Sequence, residues 1–543
     1  MHEYLSKQLT ARLEQLDWPT ERLQLSRPKK AENGDWATNL AMALARDLKR
    51  PPMQIAEELM ADLYLEPSIV EKYEILNPGF INFFQAADYL TAQIRNILSH
   101  KKTFGRSDFG KGKTAQVEFV SANPTGPLTV GHGRQTVLGD TLANILTWSG
   151  YDVTREYYFN NAGRQMRLLG ESLKARYLEL KGEPITLPDG GYEGLYLINV
   201  AQALMEEQPE LTAETEIDLF KKYAEDSIFD IIKSSLERIG VVHDVFYNER
   251  SLYENGKIDE VLNLLREKEL LYDKDGATWF KTTELGVDQD RVLVKSSGEP
   301  TYRLPDIAYH REKVARGFDL VVDIFGADHI DAYPDVLSAL KVMGLKHDHI
   351  QVVIHQFVTL LRGGEVVKMS TRKANFVTLD ELIDEVGADV VRYFYIMRSA
   401  SSHLNFDLDL AKRQTEENPV FYLQYAHARI SSIFRRAEER GLTSDADSAD
   451  LTLLNEEFTV ALINKALEFP EVIDHCRRSL EVHHLPSYLF DLATALHKFY
   501  TEHKVIDLEH PELSKARLAL LEAVQIVLRN GLDVLGISAP DQM

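Results

Sequence analysis

One stretch constrains the architecture of this chain more than any other. Val117 to Val120 closes an apolar run, Pro124, Gly126, Pro127, Gly131 and Gly133 punctuate a turn, and a helical pattern from Gln135 to Trp148 ends at Gly150. Strand, loop and helix N-terminus in that order predict an α/β unit. Backbone N–H groups at a helix start lack intrahelical partners and attract anions, and Gly131 and Gly133 remove side chains that would hold a flat ring or a phosphate away. His132 sits where it would donate to that anion. An ordinary strand-to-helix turn fits the same residues, because short glycine motifs recur by chance. The choice between the two depends on the rest of the chain.

At 543 residues the chain is too long for one core and should hold about three domains. With 44% hydrophobic and 27% charged residues it has the balance of a soluble globular protein. No apolar run approaches the roughly 20 residues of a membrane span, and the opening Met1 to Lys7 leads into an amphipathic helix, so a cytoplasmic protein is expected. The lone Cys476 excludes internal disulfides and a Cys-based zinc ribbon. A formal charge of −23 argues against a nucleic-acid partner at first sight. Net charge does not set the local field, however, and Arg429, Arg435, Arg436 and Arg440 supply either a basic lane or a solvated helix face.

Taken in order, residues 1–110 read as a small α/β unit: helices over Tyr4 to Leu16 and Pro52 to Leu63, strands over Glu74 to Leu76 and Phe80 to Phe84, with Lys101 to Lys113 as the boundary. Phe80, Asn82 and Phe84 suit stacking on an unpaired base, or equally the core face of a strand. Residues 111–404 alternate strands with helices, which predicts a mostly parallel sheet. Its strands include Tyr151 to Tyr157, Asp319 to Phe325 and Gln351 to Leu360, and a helical, acidic insertion spans about 186–249. Asp328 and His329 fall at the C-terminal edge of the sheet, where doubly wound folds collect ligands. Residues 405–543 show only helical spacing and predict an all-helical bundle.

Gly-His at a helix start, Gly-Ala-Asp-His at a strand end and Lys-Met-Ser after the last strand would meet at one sheet edge, and that edge suits a nucleotide. These residues carry a family resemblance. Ser121-Ala-Asn-Pro-Thr-Gly-Pro and Val130-Gly-His-Gly-Arg134 resemble the first signature of class I aminoacyl-tRNA synthetases, and of the arginyl-tRNA synthetases among them. Tyr157 to Gly163, Tyr302 to His310, Gly326 to His329, Val367 to Arg372, Asp407 to Ala411 and Asn418 to Arg429 resemble further family motifs in the right order, so the likeness spans nearly the whole chain.

The resemblance implies a Rossmann-type catalytic domain between a tRNA-contacting N-terminal domain and an anticodon-binding helical domain. It implies ATP-dependent ligation of L-arginine to its tRNA through an arginyl-adenylate. ATP would arrive with Mg²⁺ as a substrate complex, with no tightly bound cofactor and no resident metal. A monomer is expected. Carried over residue by residue, Gly131, His132 and Gly133 with Lys368, Met369 and Ser370 face ATP, and His132, Lys368, Ser370 and Arg372 act in catalysis. Ser121, Asn123, Tyr302, Asp306 and His329 face arginine, whose planar guanidinium is best met by a carboxylate and neutral acceptors. Asp306 also suits a helix N-cap. Phe80, Asn82, Tyr422, Gln424 and Arg429 face tRNA.

Two positions depart from the pattern. Thr129 stands where the first signature usually has histidine, and Thr371 where the second has its second lysine, so Arg372 or Lys373 is expected to supply the missing cation. A degenerate RNA-binding relative and a ligase or nucleotidyl-transfer enzyme of another specificity are the rivals. His347-Asp-His349 and His483-His484 show no third ligand in sequence, and Cys476 reads as a buried helical cysteine.

Overall fold

Leu5, Leu9 and Leu13 recur every fourth residue and are fully buried along α1 (His2–Gln15). In the computed structural model, which describes residues 1–28, 30–327, 330, 333–367, 377–443 and 448–543, they seed a small separate core. That core is completed by β1 (Trp36–Thr38), α2 (Leu40–Leu48), α3 (Pro52–Ala61), β2 (Val70–Leu76) and β3 (Phe80–Gln85), with the strands antiparallel in the order β1-β3-β2. Period-two alternation turns Ile81 and Phe83 into the core, while Phe80 is exposed and Phe84 half-buried under Lys72. The next helix, α4 (Ala87–His100), belongs elsewhere: Leu90, Ile94, Ile97 and Leu98 enter the large second core. The stretch 1–110 therefore divides between two cores.

The second core is built on a five-stranded sheet. Its strands are β4 (Thr114–Glu118), β5 (Asp152–Phe159), β6 (Val245–Asn248), β10 (Leu320–Gly326) and β11 (Ile350–His355), all parallel in the order β11-β10-β4-β5-β6. Helix α5 (Val130–Trp148) follows β4, and α6 (Gly163–Leu180), α7 (Leu195–Glu207) and α8 (Ile217–Arg238) follow β5. The strand order reverses between β4 and β10, which opens a crevice beyond their C-terminal ends. The segment expected as a helical insertion is helical through α8, but its end is β6, the edge strand of the sheet.

After β6 come α9 (Arg250–Glu254) and α10 (Lys257–Glu267), then a separate antiparallel sheet of β7 (Leu271–Lys274), β8 (Ala277–Phe280) and β9 (Arg291–Val294). Helices α11 (Arg303–Arg316) and α12 (Tyr333–Val342) flank β10 in sequence. The apolar run Gln351 to Leu360, expected as one strand, breaks after His355. Its second half, β12 (Val358–Arg362), joins another small sheet with β13 (Glu365–Val366) and β14 (Leu404–Asp407), across α13 (Leu379–Val386) and α14 (Ala388–Ile396). Arg134 explains the break. Its buried guanidinium donates to the carbonyls of Gln356, Ser399 and Ser402 at 2.7–2.9 Å, so the backbone at Gln356 is drawn out of the ladder.

Beyond the short α15 (Leu408–Ala411) the chain is helical: α16 (Pro419–Glu438), α17 (Glu457–Leu467), α18 (Phe469–Ser479), α19 (His484–Glu502) and α20 (Pro511–Leu535). Asn418 caps α16, its carbonyl accepting from Val420 N–H at 3.0 Å, and Pro419 occupies the first turn, where its missing N–H costs nothing. Cys476 is buried in this bundle and burial pushes its thiol up to about 12. The bundle shares the second core with the parallel sheet. At the junction, buried Arg392 donates to Leu535 O at the end of α20, Ile239 O after α8 and Asp140 Oδ2 on α5, at 2.6–2.8 Å. No helix among the described residues is long and apolar enough to cross a membrane.

Candidate active site

A cleft of about 670 Å³ occupies the crevice where the strand order reverses. Of the residues expected there, Ser121, Asn123, Gly131, His132, Tyr302 and Asp306 line it together, although they come from two stretches of the chain far apart in sequence. Val120 and Ser121, just beyond β4, both adopt left-handed backbone (φ 71° and 45°). That is a costly state for a β-branched valine, and it turns the chain sharply over the cleft floor.

Thr129 is the N-cap of α5, and with His132 it forms a capping box. Thr129 N–H donates to His132 Nδ1 at 3.1 Å, which leaves the imidazole proton on Nε2. Burial lowers the His132 pKa, so at neutral pH the ring is an uncharged N–H donor. A Cβ on Gly131 would meet only Thr129 Oγ1 at 3.6 Å, so Gly131 faces open space. Gly133 does not. A Cβ there would lie 2.8 Å from Leu379 Cδ1 and 2.9 Å from Tyr395 Oη, so Gly133, expected to face the nucleotide, is the point where α5 packs on α13 and α14.

Lys368, Met369, Ser370 and Arg372, with Thr371, Lys373 and His329, lie outside the described residues. Before that stretch Val367 is held on β12, its N–H donating to Leu360 O at 2.9 Å; after it the chain is pinned to the start of α5, where Val130 N–H donates to Val377 O at 3.3 Å and Leu379 N–H to Leu128 O at 2.8 Å.

Beneath the cleft, where Glu118 reaches its lining, the sheet is acidic by register. Across adjacent strands Glu156 pairs with Glu118, and Glu118 with Asp323, which sets three carboxylates in a row with almost no solvent exposure. Like charges in such positions repel, and α11 supplies the compensation. Lys313 is fully buried between Glu118 and Asp323 and bonds both. His310 Nε2 lies 3.1 Å from Asp323 Oδ2, and Arg316 reaches Glu156 at 2.5 and 2.9 Å. Burial works against the charge on each partner, yet Asp323 and Glu118 raise Lys313, and Lys313 with His310 holds Asp323 below the usual carboxylate range.

Asp306 is the exception. It sits in the first turn of α11, whose N-cap is Tyr302, so Asp306 does not itself cap the helix. It faces the cleft, and among the described residues it has no ion-pair partner. Desolvation by burial raises it to about 7, reinforced by Glu249 and Glu118 and opposed by His310 and Lys313. Glu249, at the end of β6, also lines the cleft, where it accepts from Tyr158 Oη and Asn160 Nδ2 at 2.8 Å, and burial raises it too. Sequence reading missed Glu118, Glu156, Glu249 and Lys313. For the two residues of the row, the available signal was an acidic residue at the end of β4 and another inside the neighbouring β5.

Two expected arginine contacts are already engaged. Ser121 Oγ donates to Glu118 Oε1 at 2.9 Å and accepts from Tyr158 N–H at 3.1 Å. Asn123 Oδ1 accepts from Asn160 N–H at 2.9 Å, which leaves its amide nitrogen with a long bond to Gln165 at 3.3 Å. Tyr302 is 57% exposed and stands at the mouth.

The residues expected to face tRNA divide. Phe80 is 41% exposed, whereas Asn82 is 3% exposed, so its amide is not offered at the surface. Gln424 is spent on Asp389 and Ser538, at 2.8–3.1 Å, and tethers α16 to the chain end. Tyr422 and Arg429 do line a surface cleft with Tyr425 and Tyr500, and the Arg429 guanidinium lies 4.0 Å over the Tyr500 ring. Arg435 and Arg436 border the adjoining hollow.

A doubly wound parallel sheet with its ligand cleft at the switch point, the Gly-His helix start inside it and an all-helical C-terminal bundle define a class I aminoacyl-tRNA synthetase. Comparison with known families agrees: the class I (R) catalytic-domain model matches residues 93–395, the arginyl tRNA synthetase N-terminal domain residues 3–85 and the DALR anticodon-binding domain residues 423–543. An arginine–tRNA ligase of Salinibacter ruber is 50% identical over the full length of both chains. One of Desulfotalea psychrophila is 51% identical over 95% of this chain and 94% of its own. The structure of Thermus thermophilus arginyl-tRNA synthetase superposes with a TM-score of 0.78 over 99% of both chains at 23% identity, a likeness of fold. The chain belongs to the arginyl-tRNA synthetase family.

Proposed function

We propose that this protein ligates L-arginine to its tRNA, consuming ATP and passing through an arginyl-adenylate. The observation that carries the reading is Asp306: each neighbouring acid beneath and beside the cleft has a cation or a neutral donor, and among the described residues Asp306 has none. An arginine guanidinium set against it restores its ionised form, with Glu118 and Glu249 adding negative potential from either side. Tyr302 closes the mouth over the side chain. Ser121 braces Glu118 rather than binding substrate directly. The Asn123 carbonyl is committed to Asn160, so its NH₂ is the group left to meet the substrate carboxylate.

ATP, arriving as its Mg²⁺ complex, lies along the start of α5. Gly131 lets it approach the backbone, and the His132 Nε2–H donates to the phosphates as charge builds on them. The arginine carboxylate attacks the α-phosphate and diphosphate leaves. The arginyl group then passes to the terminal adenosine of the tRNA, with release of AMP. Little covalent help is needed: the site's task is to hold two anionic groups in line, which the fixed spacing from Asn123 to His132 supports. In this arrangement Thr129 substitutes for an imidazole only as a cap, since its backbone N–H orients His132. Phe80, with Tyr422 and Arg429 on the helical bundle, is the surface assigned to tRNA.

Arginine-dependent exchange between diphosphate and ATP tests the reading. Exchange with arginine that requires tRNA supports it. Absence of exchange both with and without tRNA, from protein that still binds tRNA, favours a degenerate RNA-binding relative.

A further inference from the structure

Away from the cleft, the corner between α18 and α19 gathers imidazoles and a carboxylate. Helix α18 ends at Ser479, Leu480 takes left-handed backbone (φ 58°), and the chain turns through Glu481 into α19, whose N-cap is His483 and first residue His484. One potential ligand atom each from Glu481, His483 and His484 lies within 4.8 Å of the others. His484 Nε2 stands 3.3 Å from Glu481 Oε2, about the edge of a tetrahedron around an ion with bonds of ~2.0–2.1 Å. His475, one turn before the end of α18, meets His484 edge-on with ring centroids 4.5 Å apart, and the His483 and His484 rings are 4.1 Å apart. His483 Nδ1 is enclosed and has no hydrogen-bond partner among the described residues.

The ring nitrogens of His475, His483 and His484, gathered beside the Glu481 carboxylate, make a donor set suited to a borderline divalent cation. The neighbouring Arg478 is paired with Asp474, its Nε donating to Oδ2 at 2.9 Å. We propose that Glu481, His483 and His484 form a binding site for a late first-row divalent cation, zinc foremost, with His475 turning in as the fourth ligand. The ion would pin α18 to α19 at the face turned to the N-terminal unit, since His475 and His484 border a groove shared with Arg27 and Trp36. In sequence the set reads His475, five residues, Glu481, one residue, His483-His484.

The test titrates zinc into the full-length protein against a chromogenic chelator and follows thermal unfolding in parallel. The site predicts about one ion per chain with micromolar or tighter affinity, a raised Tm, and visible Co²⁺ absorption of four-coordinate intensity that weakens in His475→Ala. His483→Gln and His484→Gln should each weaken binding by ~10-fold or more, while His347→Ala/His349→Ala should leave it unchanged. Metal-free Tm and helix content of each variant identify any that fail to fold, and the exposed Glu481→Gln supplies an independent ligand loss. Absence of saturable binding below millimolar zinc overturns the proposal. So does one ion retained in the His483→Gln/His484→Gln double variant.

Discussion

Asp306→Asn should make the unliganded protein more stable while removing its activity towards arginine. The carboxyl rises from 3.8 in the unfolded chain to about 7 in the cleft, so the folded state disfavours its charge. The sign follows from linkage: the penalty is absent below the unfolded pKa, grows as pH rises and is complete above the folded value. A displacement of about 3 units at ~1.36 kcal/mol each sets a ceiling of about 4 kcal/mol, reduced by whatever water reaches this half-buried group. Between pH 5 and pH 8 the advantage of the asparagine should grow by roughly 2 kcal/mol. Denaturation of both proteins at the two pH values reads this directly. In the wild type, apparent affinity for arginine should rise about tenfold per pH unit up to pH ~7 and then level off, because binding requires the ionised form, and the variant should lose that dependence. An asparagine variant no more stable than the wild type at pH 8, or an arginine affinity flat between pH 5 and pH 7, would refute the view of Asp306 as a desolvated, partnerless acid.

His132→Ala should lower the rate of adenylation by roughly 10²–10³-fold with little change in arginine affinity, as single-turnover measurements would show, because the lost donor acts on phosphate and not on the amino acid. Lys313→Met should cost about 3–5 kcal/mol in urea denaturation, since it leaves Glu118 and Asp323 buried without their cation; a variant of unchanged stability would contradict the floor's charge balance. Arg429→Ala should raise KM for tRNA and reduce the salt dependence of tRNA binding by about one unit of slope, with the metal-free Tm nearly unchanged.

How much was legible in the sequence followed the range of the interactions involved. The turn from Val117 into the helix ending at Trp148, the helices α1 and α3, the helical character beyond residue 405 and the strand ending at Gly326 could be read because apolar spacing and turn residues act within a few positions of each other. Tyr302 and Asp306 could be placed at the cleft by family likeness, and Gly131 and His132 by the chemistry of a helix start. Gly133 could not be separated from Gly131, since both look alike in sequence and only the packing of Leu379 and Tyr395 distinguishes them. The break after His355 depended on Arg134, more than two hundred residues earlier.

By itself the sequence determined the order of the three units, the Gly-His helix start and the family. Tertiary structure alone decided the electrostatics of the floor. Glu118, Glu156 and Asp323 become neighbours only through strand register, and Lys313 reaches them only because α11 lies against the ends of those strands. The same applies to the imidazoles at the α18–α19 corner, where a helix reversal brings His475 back to His484. Charge–charge and metal-ligand geometry depend on distances in space, and a chain specifies those distances only after its backbone hydrogen bonds and buried apolar faces have fixed how its elements pack.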